Sequence, residues 1–223
     1  MGSSHMSAPN TIFVFDLMGP GADHPDGIKA EHLRDELETL GVNVILEDTS
    51  TRPKLFAFME RVLKASEVDT KILPILHFFG HGDNAGIEVE ENHEGISWTL
   101  LCEILKPLYD VVKGNFVLCF DVCDGLHGFK VARKFLPFPF LALVGPISEI
   151  QGSASLNAFV EFYRATAIEI TDFDQALERM NRASGYADER YQWVSGTKGS
   201  FDFTGRVKGI ALVDDKTGDI VLG

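Results

Sequence analysis

Short apolar runs rich in β-branched and aromatic residues recur along the chain, separated by stretches whose apolar residues return every three or four positions. The runs are Thr11–Leu17 (TIFVFDL), Val42–Glu47 (VNVILE), Lys71–Phe79 (KILPILHFF), Asn115–Asp121 (NFVLCFD) and Phe140–Val144 (FLALV). Each is about the length of a strand and nearly continuous in hydrophobicity, the pattern of a strand covered on both faces. Between them, Ile28–Leu40 carries Ile28, Leu33, Leu37 and Leu40 at near-helical spacing. Pro53–Lys64 does the same with Leu55, Phe56, Met59, Val62 and Leu63, and Trp98–Leu108 follows suit. Helices are also expected near Ser153–Ala165 and Phe173–Ser184. Alternating strands and helices predict an α/β fold, doubly wound, with a mostly parallel sheet and helices on both faces.

Two segments depart from the alternation. Gly86–Glu90 (GIEVE) with Asn92–Gly95 predicts a small hairpin between the third strand and the next helix. From Gly196 the chain becomes glycine-punctuated, and Asp215–Gly218 forms a turn signal between IALVD and DIVLG, which predicts a C-terminal β-hairpin. Met1–Met6 (MGSSHM) reads as an expression-tag remnant, with no apolar signal-peptide core beside it. The expected organisation is therefore a tag remnant at 1–6, one domain at 9–195 and a hairpin extension of that domain at 196–223.

Composition narrows the function classes. With 45% hydrophobic residues the 223-residue chain can bury a sizeable core, yet no run approaches the roughly 20 apolar residues of a spanning helix. A soluble, cytoplasmic protein without membrane association is expected. Twenty Lys and Arg against 33 Asp and Glu give a net charge of −13, spread along the chain, which opposes nucleic-acid binding. Cys102, Cys119 and Cys123 are odd in number and unevenly spaced, so they predict reduced thiols rather than a disulfide framework.

In open α/β sheets ligands bind beyond the carboxyl ends of the strands, so those ends carry the candidate chemistry. The third strand ends in His77-Phe78-Phe79-Gly80-His81-Gly82 and the fourth in Asp121-Val122-Cys123-Asp124-Gly125. A free thiol with a pKa of about 8.5 is only a few per cent ionised at neutral pH, and a neighbouring imidazole corrects this. Gly82 would let a substrate backbone come close, and Gly125 would let the chain turn after Cys123 so that N–H groups face an oxyanion. The plainer reading of either residue alone is a buried small hydrophobe for Cys123 and a satisfied core histidine for His81.

His81-Gly82 after one apolar strand, and Asp121-Val122-Cys123-Asp124-Gly125 after the next, resemble the His-Gly and Asp-x-Cys-x-Gly pair of caspase-like peptidases: caspases, metacaspases and bacterial CHAT proteases. LALVGP at Leu141–Pro146, FVEFYRATA at Phe159–Ala167 and FDQALERMNRA at Phe173–Ala183 extend the resemblance to about residues 11–185. It implies a cysteine endopeptidase with Cys123 as nucleophile and His81 as general acid/base. It further implies an oxyanion site at the N–H groups of Gly82 and Cys123. In relatives that cut after Lys or Arg, acids stand at the end of the first strand and two positions before the nucleophile. Here these are Asp16 and Asp121, candidate substrate-binding residues, with capping of the following turn or closing of a strand as their plainer alternatives. No arginine matches the pocket of caspases that cut after Asp. The implied partners are a protein or peptide substrate and an activating protein, and bacterial relatives serve defence or regulated cell death.

Rival chemistry fares less well. His77, His81, Cys119, Cys123 and His127 include zinc-ligand types, but no Cys-x-x-Cys pair is present and His77 lies deep in an apolar run, so no metal is expected. GPGADHPDG after the first strand lacks both the Gly-x-Gly-x-x-Gly fingerprint and a Walker lysine, so no nucleotide cofactor is expected. The serious alternative is a catalytically silent caspase-like interaction or regulatory module, for which the C-terminal hairpin or Phe135–Phe140 would offer a partner surface.

Overall fold

The computed structural model describes residues 11–20, 27–68, 74–89, 93–128, 140–169, 171–195, 211–213 and 220–222. Its centre is a six-stranded sheet built from β1 (Thr11–Asp16), β2 (Asn43–Asp48), β3 (Ile75–Phe79), β7 (Val117–Asp121), β8 (Ala142–Pro146) and β9 (Tyr191–Ser195). The order is β2-β1-β3-β7-β8-β9, and every pairing is parallel except the last. The five parallel strands are those the apolar runs predict. The sixth, antiparallel at the edge, was not anticipated in the sequence, because YQWVS is half polar and sits between a helix and the glycine-rich tail.

Helices cover both faces. α2 (Arg52–Val68) and α3 (Trp98–Val112) pack on one, where Phe15, Phe78 and Phe120 stack across β1, β3 and β7 with ring centroids 4.6 and 5.1 Å apart. Trp98 closes that ladder edge-on against Phe120 at 5.0 Å. Offset aromatic contacts of this kind add about 0.5–1.5 kcal/mol each beyond buried area. α1 (Ala30–Thr39), α4 (Gly152–Tyr163) and α5 (Phe173–Ser184) cover the opposite face, burying Leu33, Leu37, Phe159, Phe162 and Met180 against Ile12, Val14 and Val144. Ser97 caps α3 by accepting the Leu100 N–H at 3.2 Å, and Asp172 caps α5 through the Gln175 N–H at 2.8 Å, which fixes where each helix starts.

The excursion after β3 is a three-stranded antiparallel sheet of β4 (His81–Gly82), β5 (Gly86–Val89) and β6 (Glu94–Ser97), so the predicted hairpin gains His81 and Gly82 as a third strand. β10 (Ala211–Val213) and β11 (Ile220–Leu222) pair antiparallel as the terminal hairpin predicts. Its turn at 214–219, and Phe135–Pro139 of the candidate partner surface, lie outside the described residues. Among the described residues no helix is long and apolar enough to cross a membrane.

Candidate active site

Strand order reverses at β1, between β2 and β3, and the candidate residues gather on the carboxyl side of β1, β3 and β7. The pairing of β3 with β7 sets Phe79 opposite Asp121. Beyond that pair the Gly80 N–H donates to the Asp121 carbonyl at 3.2 Å, so the two chains leave the sheet side by side. His81 and Cys123 each stand two residues past the paired positions, on the segments that follow these two neighbouring strand ends. Gly82 closes the approach. A Cβ there would lie 2.9 Å from Val122 Cγ2 and 3.0 Å from the Gly86 carbonyl, a gap that no other residue fits. The His81-Gly82 segment thus packs directly on the residue before Cys123.

Cys123 sits in a tight turn. The Gly125 N–H returns to the Val122 carbonyl at 3.2 Å, with Asp124 in the left-handed region at φ +55°. A single 3₁₀ turn, Gly125–His127, follows. Gly125 is required by contact, since a Cβ would meet Phe120 Cβ at 2.7 Å and Pro146 Cδ at 3.3 Å. Cys123 is half-buried, and burial pushes its thiol up, with Glu149, Asp124 and Asp121 adding to the effect; a hydrogen bond from the Ile150 backbone pulls the other way. At neutral pH the thiol keeps its proton, and chemistry there needs a base. His81 is half-buried and lines an open groove of about 450 Å³ with Gly82, Ile87, Gly95, Ile96 and others from β4, β5 and β6.

Asp16 and Asp121 stand level with Phe79, one on each side. At a strand spacing of about 4.8 Å their backbones are roughly 10 Å apart. Both carboxylates lie below the surface, at 6% and 1% exposure. Asp16 Oδ1 accepts the N–H groups of Met18 and Gly19, each at 3.1 Å, so it caps the turn that ends its own strand. Burial raises its pKa from 3.8 to about 6, against those two hydrogen bonds and with help from Glu31 and Asp48.

Asp121 points into a polar cluster that sequence reasoning missed. Ser155, on α4, donates its hydroxyl to Asp121 Oδ1, and His77 Nε2 lies 3.6 Å from Oδ2. The other ring nitrogen of His77, Nδ1, is 2.8 Å from the Tyr163 hydroxyl, and Cys119 also hydrogen-bonds Tyr163. His77 and Cys119, candidate ligands by type, are thereby committed inside the core. His77 was visible in the sequence as a polar residue in an apolar strand; its partners on α4 carry no local signal. Among the described residues no three His, Cys, Asp or Glu side chains gather as a metal site.

No protein-family model matches this sequence, and no curated protein matches it.

Proposed function

We propose that the chain is a cysteine endopeptidase of the caspase-like kind, with Cys123 as nucleophile and His81 as general acid/base. The observation that carries the reading is that the two residues follow adjacent strand ends, each two positions beyond the Phe79–Asp121 pair, with Gly82 packed against Val122. At that pair β3 and β7 stand about 4.8 Å apart, so the segments carrying His81 and Cys123 leave the sheet as neighbours. In the reaction His81 takes the thiol proton, the thiolate sulfur bonds to the peptide carbonyl carbon, and the C–N bond breaks as His81 returns the proton to the leaving amine. Water then hydrolyses the thioester. The N–H groups of Gly82 and Cys123 are the candidate oxyanion donors, and the groove lined by β4, β5 and β6 is the candidate channel for the peptide.

A preference for Lys or Arg before the scissile bond belongs to the same reading. Asp16 and Asp121 end β1 and β7 on either side of Phe79, which stands two residues before His81. Because both are buried, a cation reaches them only if the side chains around Phe79 give way.

One observation favours the silent module instead: burial of the thiol, and then the carboxylates of Glu149, Asp124 and Asp121, oppose its ionisation. Cleavage of a fluorogenic peptide library by the protein and by Cys123→Ala, with and without calcium, decides between the two. Turnover lost in both Cys123→Ala and His81→Ala supports the dyad. Turnover that survives either substitution, or no turnover under any condition, rejects it.

A further inference from the structure

The segment Ile147–Gln151, between β8 and α4, touches the Cys123 turn on one side and is clamped on the other. On the Cys123 side the Asp124 N–H donates to the Ser148 carbonyl at 3.4 Å, and the Ile150 backbone hydrogen-bonds the Cys123 sulfur. On the far side Arg190, at the entry to β9, makes two bonds to it. The Ile147 N–H donates to the Arg190 carbonyl at 3.0 Å, and Arg190 Nη1 donates to the Glu149 carbonyl at 2.9 Å. Arg190 is itself held, with Nη2 3.1 Å from both carboxylate oxygens of Asp188 and its guanidinium carbon 3.9 Å from the Tyr186 ring centroid. The same Tyr186 accepts the Gln151 N–H at 2.6 Å. A planar guanidinium that pairs with a carboxylate, stacks on a ring and still reaches a carbonyl uses the geometry lysine lacks.

We propose that Arg190 is a positioning residue for the Cys123 thiol: clamped by Asp188 and Tyr186, it fixes the Ile147–Gln151 loop so that the Ile150 N–H is presented to the sulfur. The charged groups facing that sulfur are Glu149 on the loop, Asp124 in its own turn and Asp121 at the end of β7, all anionic when ionised. The Ile150 N–H is therefore the group that favours the thiolate before His81 acts. When the clamp fails, the carboxylates and burial act unopposed. The consequence for turnover rests on the peptidase reading; the effect on the thiol does not.

The test is the pH profile of Cys123 alkylation by iodoacetamide, followed cysteine by cysteine in the full chain by mass spectrometry. In Arg190→Ala the midpoint should move up by about one pH unit, or about tenfold slower alkylation near neutrality, because a hydrogen bond to the charged form is lost. Arg190→Lys should fall between, and Glu149→Gln should move the midpoint down. Cys102 and Cys119, both buried, report folding in every variant. An unshifted midpoint in folded Arg190→Ala overturns the proposal. If that variant exposes Cys102 and Cys119, unshifted midpoints in Arg190→Lys and Tyr186→Phe overturn it equally. A shifted midpoint without peptide cleavage refutes the peptidase reading alone, and cleavage with an unshifted midpoint refutes the role of Arg190 alone.

Discussion

Replacing Asp16 by Asn should stabilise the protein at neutral pH and leave it almost unchanged near pH 4. The Asp16 carboxyl titrates at about 6 in the fold against 3.8 ordinarily, chiefly because burial disfavours its charge. A folded pKa above the unfolded one means that the native state holds the proton more tightly. Stability from this group is thus fully present below about 4, falls as pH rises through 4 to 6, and is flat above. The difference of 6 − 3.8 = 2.2 units, at about 1.36 kcal/mol each, bounds the loss at about 3 kcal/mol. Asparagine keeps Oδ1 for the Met18 and Gly19 N–H groups and carries no charge to bury or to set against the Glu31 and Asp48 carboxylates. Urea unfolding at pH 4.5 and 7.5 reads the effect, and with a slope of about 1–3 kcal/mol per molar urea the midpoint of Asp16→Asn should exceed the parent's by about 1 M at pH 7.5. An equal or lower midpoint at pH 7.5 would refute the argument. The same titration bears on specificity: cleavage after Lys or Arg that uses Asp16 as an anion should rise through pH 6.

Gly125→Ala should cost about 1–3 kcal/mol, since the added methyl lands 2.7 Å from Phe120 Cβ, and should displace the Cys123 turn; thermal unfolding and the Cys123 alkylation rate measure the two effects. Asp121→Ala removes the carboxylate facing His77 and Ser155, at about 1–3 kcal/mol for each buried polar group abandoned, and Ser155→Ala should cost less, both read by urea unfolding. Iodoacetamide at pH 8 should modify Cys123 well before Cys102 and Cys119, whose thiols burial pushes to about 11 and about 12; equal rates in the folded protein would contradict the described burial.

The parallel strands were legible because a strand covered on both faces must be apolar throughout, as TIFVFD and VLCFD are. β9 was not, because Tyr191 is buried while Gln192 and Trp193 are only partly covered, and an edge strand leaves a weak alternation. The positions of His81 and Cys123 could be anticipated because each follows the end of an apolar run, and strand ends converge in this architecture. The partners of Asp121 and His77 could not. Ser155 lies 34 residues from Asp121, and Tyr163 lies 86 from His77, so only the packing of α4 on the sheet brings them together. The clamp at Arg190 has the same character, reaching the Glu149 carbonyl across 41 residues.

The two faces of the sheet explain why a polar cluster lies beneath the candidate dyad. Residues of β1, β3 and β7 alternate between the aromatic ladder of Phe15, Phe78 and Phe120 and a face that carries Asp16, His77, Cys119 and Asp121. A slip of β7 by one residue would send Asp121 into the ladder and bring Phe120 opposite Ser155 and His77, losing both the stacking and the hydrogen bonds. Apolar cores alone tolerate such repacking far better than buried polar groups held in specific hydrogen bonds do. The cluster therefore specifies the one register in which Phe79 meets Asp121. That register also sets which residues of β3 and β7 stand at the carboxyl end of the sheet, so residues buried in the core fix where the segments carrying His81 and Cys123 begin.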